Sequence, residues 1–293
     1  MIKFSIPGFF THYKLSKTLL DLYVYEKPYV FKDGVKIDSI YDSFPGSYWN
    51  GGRVKCNQDI ISLKKMRDII NEFTYKYKIN LRLVFTNSLI TEELLNDPVG
   101  NAVLTLLPQG TGINIHSELL KEYIEKKYPN QFSFNWSTTK LLRTVDDINK
   151  YSKENVTVPS FLDVNNNHEI LEQLEHKENI ELIVDEICIP NCPNYYQHYK
   201  EFSKELLFDP SAKTNICSCI QSHSYYDRRT KKPHNISPED IENYYEPLGF
   251  NSFKITGRED YDIQIIESYI RYLIKPEWKD YIRNELIEKV IYF

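Results

Sequence analysis

Four of the five cysteines in this 293-residue chain lie between positions 188 and 219, as Cys188-Ile-Pro-Asn-Cys192 and, after a 24-residue gap, Cys217-Ser-Cys219. Thiolates in that density are metal or cluster ligands, or redox groups, more often than structural disulfides in a reducing compartment. The first pair follows the strand-like run Glu181 to Ile187, so all four thiols could converge at one strand end. Structural zinc favours two hooks with two to four residues between ligands, which Cys188 and Cys192 fit, while Cys217 and Cys219 are spaced more tightly. Iron–sulfur clusters accept more varied spacing. Spacing alone leaves zinc and iron–sulfur level, with a metal-free arrangement as the third option. Cys56 stands apart, as a buried filler or a conditional fifth ligand.

The elements that must position these thiols alternate. Strands are expected at Lys3 to Ile6, Ile37 to Tyr41, Leu81 to Thr86, Gly112 to His116, Phe132 to Ser137, Thr157 to Leu162, Glu181 to Ile187 and Ser252 to Thr256. Helical periods fall between them: Met66, Ile69, Ile70, Phe73 and Tyr77 make one apolar stripe opposite Lys64, Lys65, Arg67, Asp68 and Glu72. Further helices are expected over Glu92 to Leu107, Glu118 to Lys127, Thr139 to Lys150, His168 to His176, Tyr195 to Leu206, Pro238 to Tyr245 and Tyr261 to Leu273. Ser237-Pro-Glu-Asp240 reads as a helix start, with a capping hydroxyl, a first-turn proline and two acids on the dipole. This alternation predicts a single (β/α)8 TIM-like barrel over 1–293, with an irregular inserted segment near 208–235 and a terminal helix from Glu277 to Val290. A doubly wound open sheet is the alternative.

In either architecture the loops after the strands form the working face. That face would carry Asn50-Gly-Gly-Arg53, Thr86-Asn-Ser88, His116-Ser117, Ser137-Thr-Thr-Lys140, Asp163, Glu186, Cys188 and Gly257-Arg-Glu259. His116 could serve as acid, base or ligand, and Lys140 or Arg258 could hold a carboxylate or phosphate. The same Ser, Thr and Asn residues could equally cap helices, His198 could be an alternative ligand or a loop-orienting residue, and Arg258 could simply pair with Glu259 or Glu186.

Bulk composition narrows the classes. With 41% hydrophobic and 26% charged residues the chain can bury a large core, and no 18 apolar residues run together. Met1 to Phe10 has too short an apolar stretch for a secretion signal, so a cytoplasmic location without membrane association is expected. The net charge of −5 argues against a nucleic-acid partner, since phosphate binding needs cations. One basic run, Arg228-Arg-Thr-Lys-Lys232, could touch a phosphate backbone or form a solvated loop.

Three stretches resemble the collagenase-like peptidase family, peptidase family U32. They are Ile37-Asp-Ser-Ile-Tyr41 with Asn50-Gly-Gly-Arg53; Glu181-Leu-Ile-Val-Asp-Glu-Ile-Cys188 leading to Cys192; and Ser237-Pro-Glu-Asp-Ile241 through Gly249 to the Lys254-Ile-Thr-Gly-Arg258 strand end. The resemblance implies a barrel and a four-cysteine [4Fe–4S] cluster, as in members acting in oxygen-independent hydroxylation of ubiquinone precursors or of RNA bases. Cys188 and Cys192 match the family's first cysteine pair. The family's fourth cysteine falls in the helix after Ser-Pro, where this chain has Ile241 and Glu242, so Cys217 and Cys219, or one of them with Cys56, would complete the set. The family's Glu before Gly-Arg is Thr256 here.

The leading expectation is therefore an iron–sulfur protein that catalyses or assists an oxygen-independent hydroxylation-type reaction on a small molecule or nucleobase. Cys188, Cys192, Cys217 and Cys219 would hold the cluster, with Arg53, His116, Lys140 and Arg258 shaping the substrate pocket. The expected partner is a small-molecule substrate or a protein of the same family. Two alternatives stand beside it: a zinc-stabilised noncatalytic binding partner, and a hydrolase using Glu186, Asp163 and His116. The hydrolase lacks a Gly-x-Ser-x-Gly or His-Glu-x-x-His pattern.

Overall fold

The computed structural model describes residues 1–52, 60–213 and 229–292. Eight parallel strands form one sheet in the order β6-β5-β4-β3-β2-β1-β8-β7. They are β1 (Ile2–Pro7), β2 (Val35–Asp42), β3 (Asn80–Phe85), β4 (Gly112–Ile115), β5 (Ser133–Trp136), β6 (Val156–Thr157), β7 (Glu181–Ile183) and β8 (Ser252–Lys254). A parallel bridge between Thr157 and Ile180 links the two edges, so the sheet closes into the expected (β/α)8 barrel.

Helices cover the outside: α1 (Tyr13–Asp21), α2 (Leu63–Asn71), α3 (Pro98–Leu104), α4 (Glu118–Lys127), α5 (Val145–Ser152), α6 (Phe161–Val164), α7 (His168–Gln173), α8 (Tyr195–Leu206), α9 (Pro238–Asp240), α10 (Asp262–Tyr272) and α11 (Lys279–Ile287). Wider π-type turns extend several of them, as in Glu72–Lys76 after α2 and Ile241–Tyr245 after α9. The terminal helix is α11, preceded by the short turn Pro276–Trp278.

Some elements differ from expectation. Helix α1 was not anticipated, although Leu15, Leu19, Leu20 and Leu22 are all buried, because His12 before it supplies no side-chain cap. The expected strand Thr157 to Leu162 stops after two residues: Pro159 has no N–H to donate, and the chain turns into α6. The expected helix Glu92 to Leu107 is broken at Asp97, whose position before Pro98 disfavours helical backbone; Asp97 instead caps α3 by accepting from Val99 N and Gly100 N.

Alternation along the strands separates two environments. Phe4, Ile6, Ile40, Leu81, Leu83, Phe85, Ile113, Ile115, Phe134, Leu182, Phe253 and Ile255 join the apolar layer beneath the helices. The residues between them fill the barrel, and many are polar: Ser5, Ser39, Arg82, Asn114, Asn135, Glu181 and Lys254. Barrel interiors are usually packed with branched apolar side chains, so this interior is unusual. Its charges are paired, as burial requires. The fully buried Glu181 carboxylate accepts from Arg82 Nη1 at 2.7 Å and from the Ser5 hydroxyl, which also bonds Ser39 Oγ at 2.6 Å. Gly112 leaves room for this arrangement, since a Cβ there would fall 2.8 Å from Arg82 Cγ.

Candidate active site

Above this polar layer, at the C-terminal ends of the strands, lies a cavity enclosing about 690 Å³ of space, its open mouth included. Inward-facing side chains form its floor: Tyr41 from β2, Val84 from β3, Asn114 from β4, Ile183 from β7 and Lys254 from β8. The strand-end loops form its wall. Gly52, Thr86, Ser137 to Thr139, Glu186 and Gly257 to Glu259 all line it, as the sequence pattern predicts for the working face.

Local packing fixes these loops. The chain after β2 is held by Trp49 Nε1 donating to Leu94 O at 2.7 Å and Asn87 Nδ2 donating to Tyr48 O at 2.9 Å. Gly51 lies so close to β3 that a Cβ would stand 2.3 Å from the carbonyl carbon of Thr86. Tyr41 OH donates to Ile255 O at 2.7 Å, tying β2 to the end of β8 and fixing a ring that lines the cavity.

Two cations share that ring. Lys254 Nζ stands 3.9 Å and Arg258 Cζ 5.9 Å from its centroid. Burial, offset by Glu181 and reinforced by Arg82 and Arg258, holds the Lys254 amine down to about 8. Arg258 donates to Ser43 Oγ at 3.3 Å and Gly51 O at 3.4 Å. Among the described residues it has no paired carboxylate, so the pairing with Glu259 or Glu186 considered from sequence is not formed. Thr86 Oγ1 and Asn114 Nδ2 are buried at the cavity with no hydrogen-bond partner among the described residues. Buried donors left in this condition are normally satisfied by water or ligand.

On the β7/β8 side, Arg229 closes the wall. Its guanidinium donates to Asp185 O at 2.5 Å and Thr256 Oγ1 at 2.7 Å, and pairs with the Asp185 and Asp260 carboxylates. Buried Arg229 thus departs from the reading of the 228–232 run as a basic face or solvated loop, whereas Lys231 is exposed and Arg228 lies outside the described residues. Described chain on either side of 214–228 is anchored: Lys213 N donates to Glu201, and Ile236 N donates to Val184 O at 2.9 Å.

Cys188 and Cys192 follow β7, both buried in a small apolar cluster with Val158, Phe161, Ile183, Tyr195 and Tyr199. Ile183 and Tyr199 of that cluster also face the cavity, as does Ile187, so this thiol pair sits directly behind its wall. Cys217, Cys219, Cys56 and Arg53 lie outside the described residues. Among the described residues no cluster of three or more His, Cys, Asp and Glu could hold a metal ion. His198 is buried in α8 and stacks on Phe202, ring centroids 4.5 Å apart.

Other expected site residues fall beside the cavity. His116 Nδ1 bonds Thr139 Oγ1 at 3.1 Å, and burial helped by Lys140 pulls the imidazole down to about 4, so it is neutral at ordinary pH. Lys140 Nζ donates to His116 O at 3.2 Å, reaches Glu118 at 3.3 Å and lies over the Trp136 and Tyr151 rings. Asp163 accepts from Ser160 and from Tyr196 OH, so of the trio Glu186, Asp163 and His116 only Glu186 lines the cavity. Lys254, Tyr41, Asn114 and Arg229 were not among the expected residues. Period-two alternation in Ser252-Phe-Lys-Ile-Thr256 is the signal that would have placed Lys254 inside the barrel.

No family model matches the chain, and no curated protein matches it. A solved structure described as that of the U32 peptidase Mk0906 superposes with a TM-score of 0.51 at 13% identity, over 87% of this chain and 92% of that one. At that identity the likeness is one of architecture, and with the eight-stranded ring it establishes a U32 peptidase-like barrel fold.

Proposed function

We propose that the cavity is the active site of an iron–sulfur enzyme that carries out an oxygen-independent hydroxylation-type reaction on a small polar molecule. One observation carries the reading: Cys188 and Cys192 are buried immediately behind the β7-side wall of a cavity into which Thr86 and Asn114, from the opposite side of the ring, present donors with no hydrogen-bond partner among the described residues. The dry, apolar surroundings of this pair suit a cluster, whose potential depends on burial and on hydrogen bonds to its sulfurs. Cys188 and Cys192, with Cys217 and Cys219, are the residues that would hold it. Bound there, it would supply electron transfer to a substrate in the cavity.

The chain's own groups do the rest. Arg258, Thr86 and Asn114 bind and orient acceptor-rich parts of the substrate, Tyr41 and Tyr199 give flat apolar walls, and Glu186 is placed to exchange a proton at the rim.

Purification under strict exclusion of oxygen tests this. The expected product is brown, with iron and acid-labile sulfide in equal amounts, both lost in Cys188→Ser and Cys192→Ser variants. A colourless protein holding only zinc, whose serine variants melt earlier, would replace the redox reading with a zinc-stabilised binding protein.

A further inference from the structure

We propose that Lys254 is a covalent catalytic residue, whose amine condenses with the carbonyl of a small oxo acid while Arg258 seats the substrate's carboxylate. The inference rests on the cavity being the substrate site and does not depend on a cluster.

Lys254 rises from β8 inside the barrel, and its Nζ reaches the cavity floor. The nearest carboxylate oxygen, Glu181 Oε2, is 3.9 Å away, too far for a hydrogen bond, and has no hydrogen-bond partner among the described residues. Neutralising Glu181 does not require Lys254, because Arg82 Nη1 already donates to its other oxygen at 2.7 Å. A lysine desolvated among guanidinium groups holds its proton weakly, and that is the condition of a nucleophilic amine. Arg258 faces the same Tyr41 ring, so amine and guanidinium address one chamber. A guanidinium fork with no carboxylate partner among the described residues suits a bidentate carboxylate ligand. Thr86 Oγ1 and Asn114 Nδ2 remain to donate to its further oxygens.

The step balances without an added oxidant or reductant. Nζ attacks the carbonyl carbon, the C–N bond forms and the π pair moves to oxygen. The C–O bond then breaks as the nitrogen lone pair closes the C=N bond. Ammonium plus carbonyl give iminium plus water: of the three ammonium protons one stays on nitrogen, and two leave with the carbonyl oxygen as that water. Glu181 is then the counter-ion of the iminium, an electron sink for bond-breaking at the neighbouring carbon.

Borohydride trapping of the full-length protein with pyruvate, followed by peptide mass mapping, tests the proposal. The reduced adduct is expected on Lys254 ahead of every other lysine, and heat-denatured protein should lose that preference. Arg258→Gln should lower pyruvate trapping at Lys254 about tenfold more than it lowers trapping of acetone, which has no carboxylate and reports only the change in the amine itself. A label spread over surface lysines as in the denatured control overturns the covalent role, and an Arg258→Gln variant that traps pyruvate normally overturns the carboxylate seat. Saturation-transfer NMR of pyruvate on the same samples separates the two ideas. Binding lost in Arg258→Gln without any Lys254 adduct would sink the imine and keep the cavity, whereas no binding at all would sink both.

Discussion

Arg229 Nη1 stands 3.1 Å from Asp185 Oδ2, with both side chains withdrawn from solvent. Asp185 also accepts from Thr256 N at 2.8 Å and Ser268 Oγ at 2.6 Å, so one carboxylate ties the end of β7 to the chain after β8 and to α10. Arg229 in turn pairs with Asp260, which lines the cavity. The wall beside the cysteine loop is thus held by charges that cannot be solvated if one is removed.

Arg229→Met should therefore destabilise the protein by about 3–5 kcal/mol, because Asp185 and Asp260 would be left buried without their cation. Arg229→Lys should recover only part of this, since an ammonium cannot reproduce a fork that reaches both carboxylates and Asp185 O. Urea unfolding read by circular dichroism measures both. A loss within about 0.5 kcal/mol for Arg229→Met, the range of ordinary surface substitutions, would show that the pairing is not structural.

Much of the architecture was legible in the chain because amphipathic period and capping chemistry are local. Ser117 accepts from Leu120 N at the start of α4, and the apolar periods expected over Glu118 to Lys127 and Tyr195 to Leu206 became α4 and α8 with those limits. What escaped reading depends on closure of the ring. Whether Lys254 is inside or outside follows from Phe253 and Ile255 being claimed by the helix layer, and Arg82 and Glu181, far apart in sequence, pair only across the closed interior. Arg229 looked like one member of a solvated basic run because neighbouring charges in sequence say nothing of Asp185 and Asp260. The resemblance to the U32 barrels was carried by strand-end residues, of which Gly257 and Arg258 do line the cavity.

The polar interior makes Gly112 a sensitive position. A methyl group there would stand 2.8 Å from Arg82 Cγ and 3.2 Å from Asn135 Nδ2, and Arg82 cannot swing away without abandoning Glu181. Gly112→Ala should cost about 1–3 kcal/mol through overpacking. Gly110→Ala, which meets no atom within 4 Å but has φ +85°, separates backbone strain from steric crowding. Equal unfolding midpoints for the Gly112→Ala variant and the parent would count against a tightly packed polar layer.

Helix α9 begins with a reciprocal cap. Asp240 N donates to Ser237 Oγ at 3.0 Å and Ser237 N donates to Asp240 Oδ2 at 3.1 Å. Ser237→Ala should lower stability by about 1 kcal/mol and Ser237→Thr by much less, as thermal unfolding at matched pH would show. Trapping at Lys254 should be unaffected by either change, because neither Ser237 nor Asp240 lines the cavity.

His116 should make stability depend on pH in a predictable direction. Its folded-state value, about 4, lies below the ordinary imidazole value of 6.5, so between these limits the unfolded chain binds the proton that the folded chain refuses. Stability contributed by the neutral ring is complete above 6.5, falls as the pH drops toward 4, and falls no further below that. The groups that set this are Thr139, which bonds Nδ1, Lys140, whose charge opposes protonation, and Glu118, which favours it weakly. His116→Gln should flatten the slope of unfolding free energy across that window while leaving the slope above pH 7 as in the parent. An imidazole that titrates near 6.5 by NMR in the folded protein would contradict the burial seen at the β4 rim.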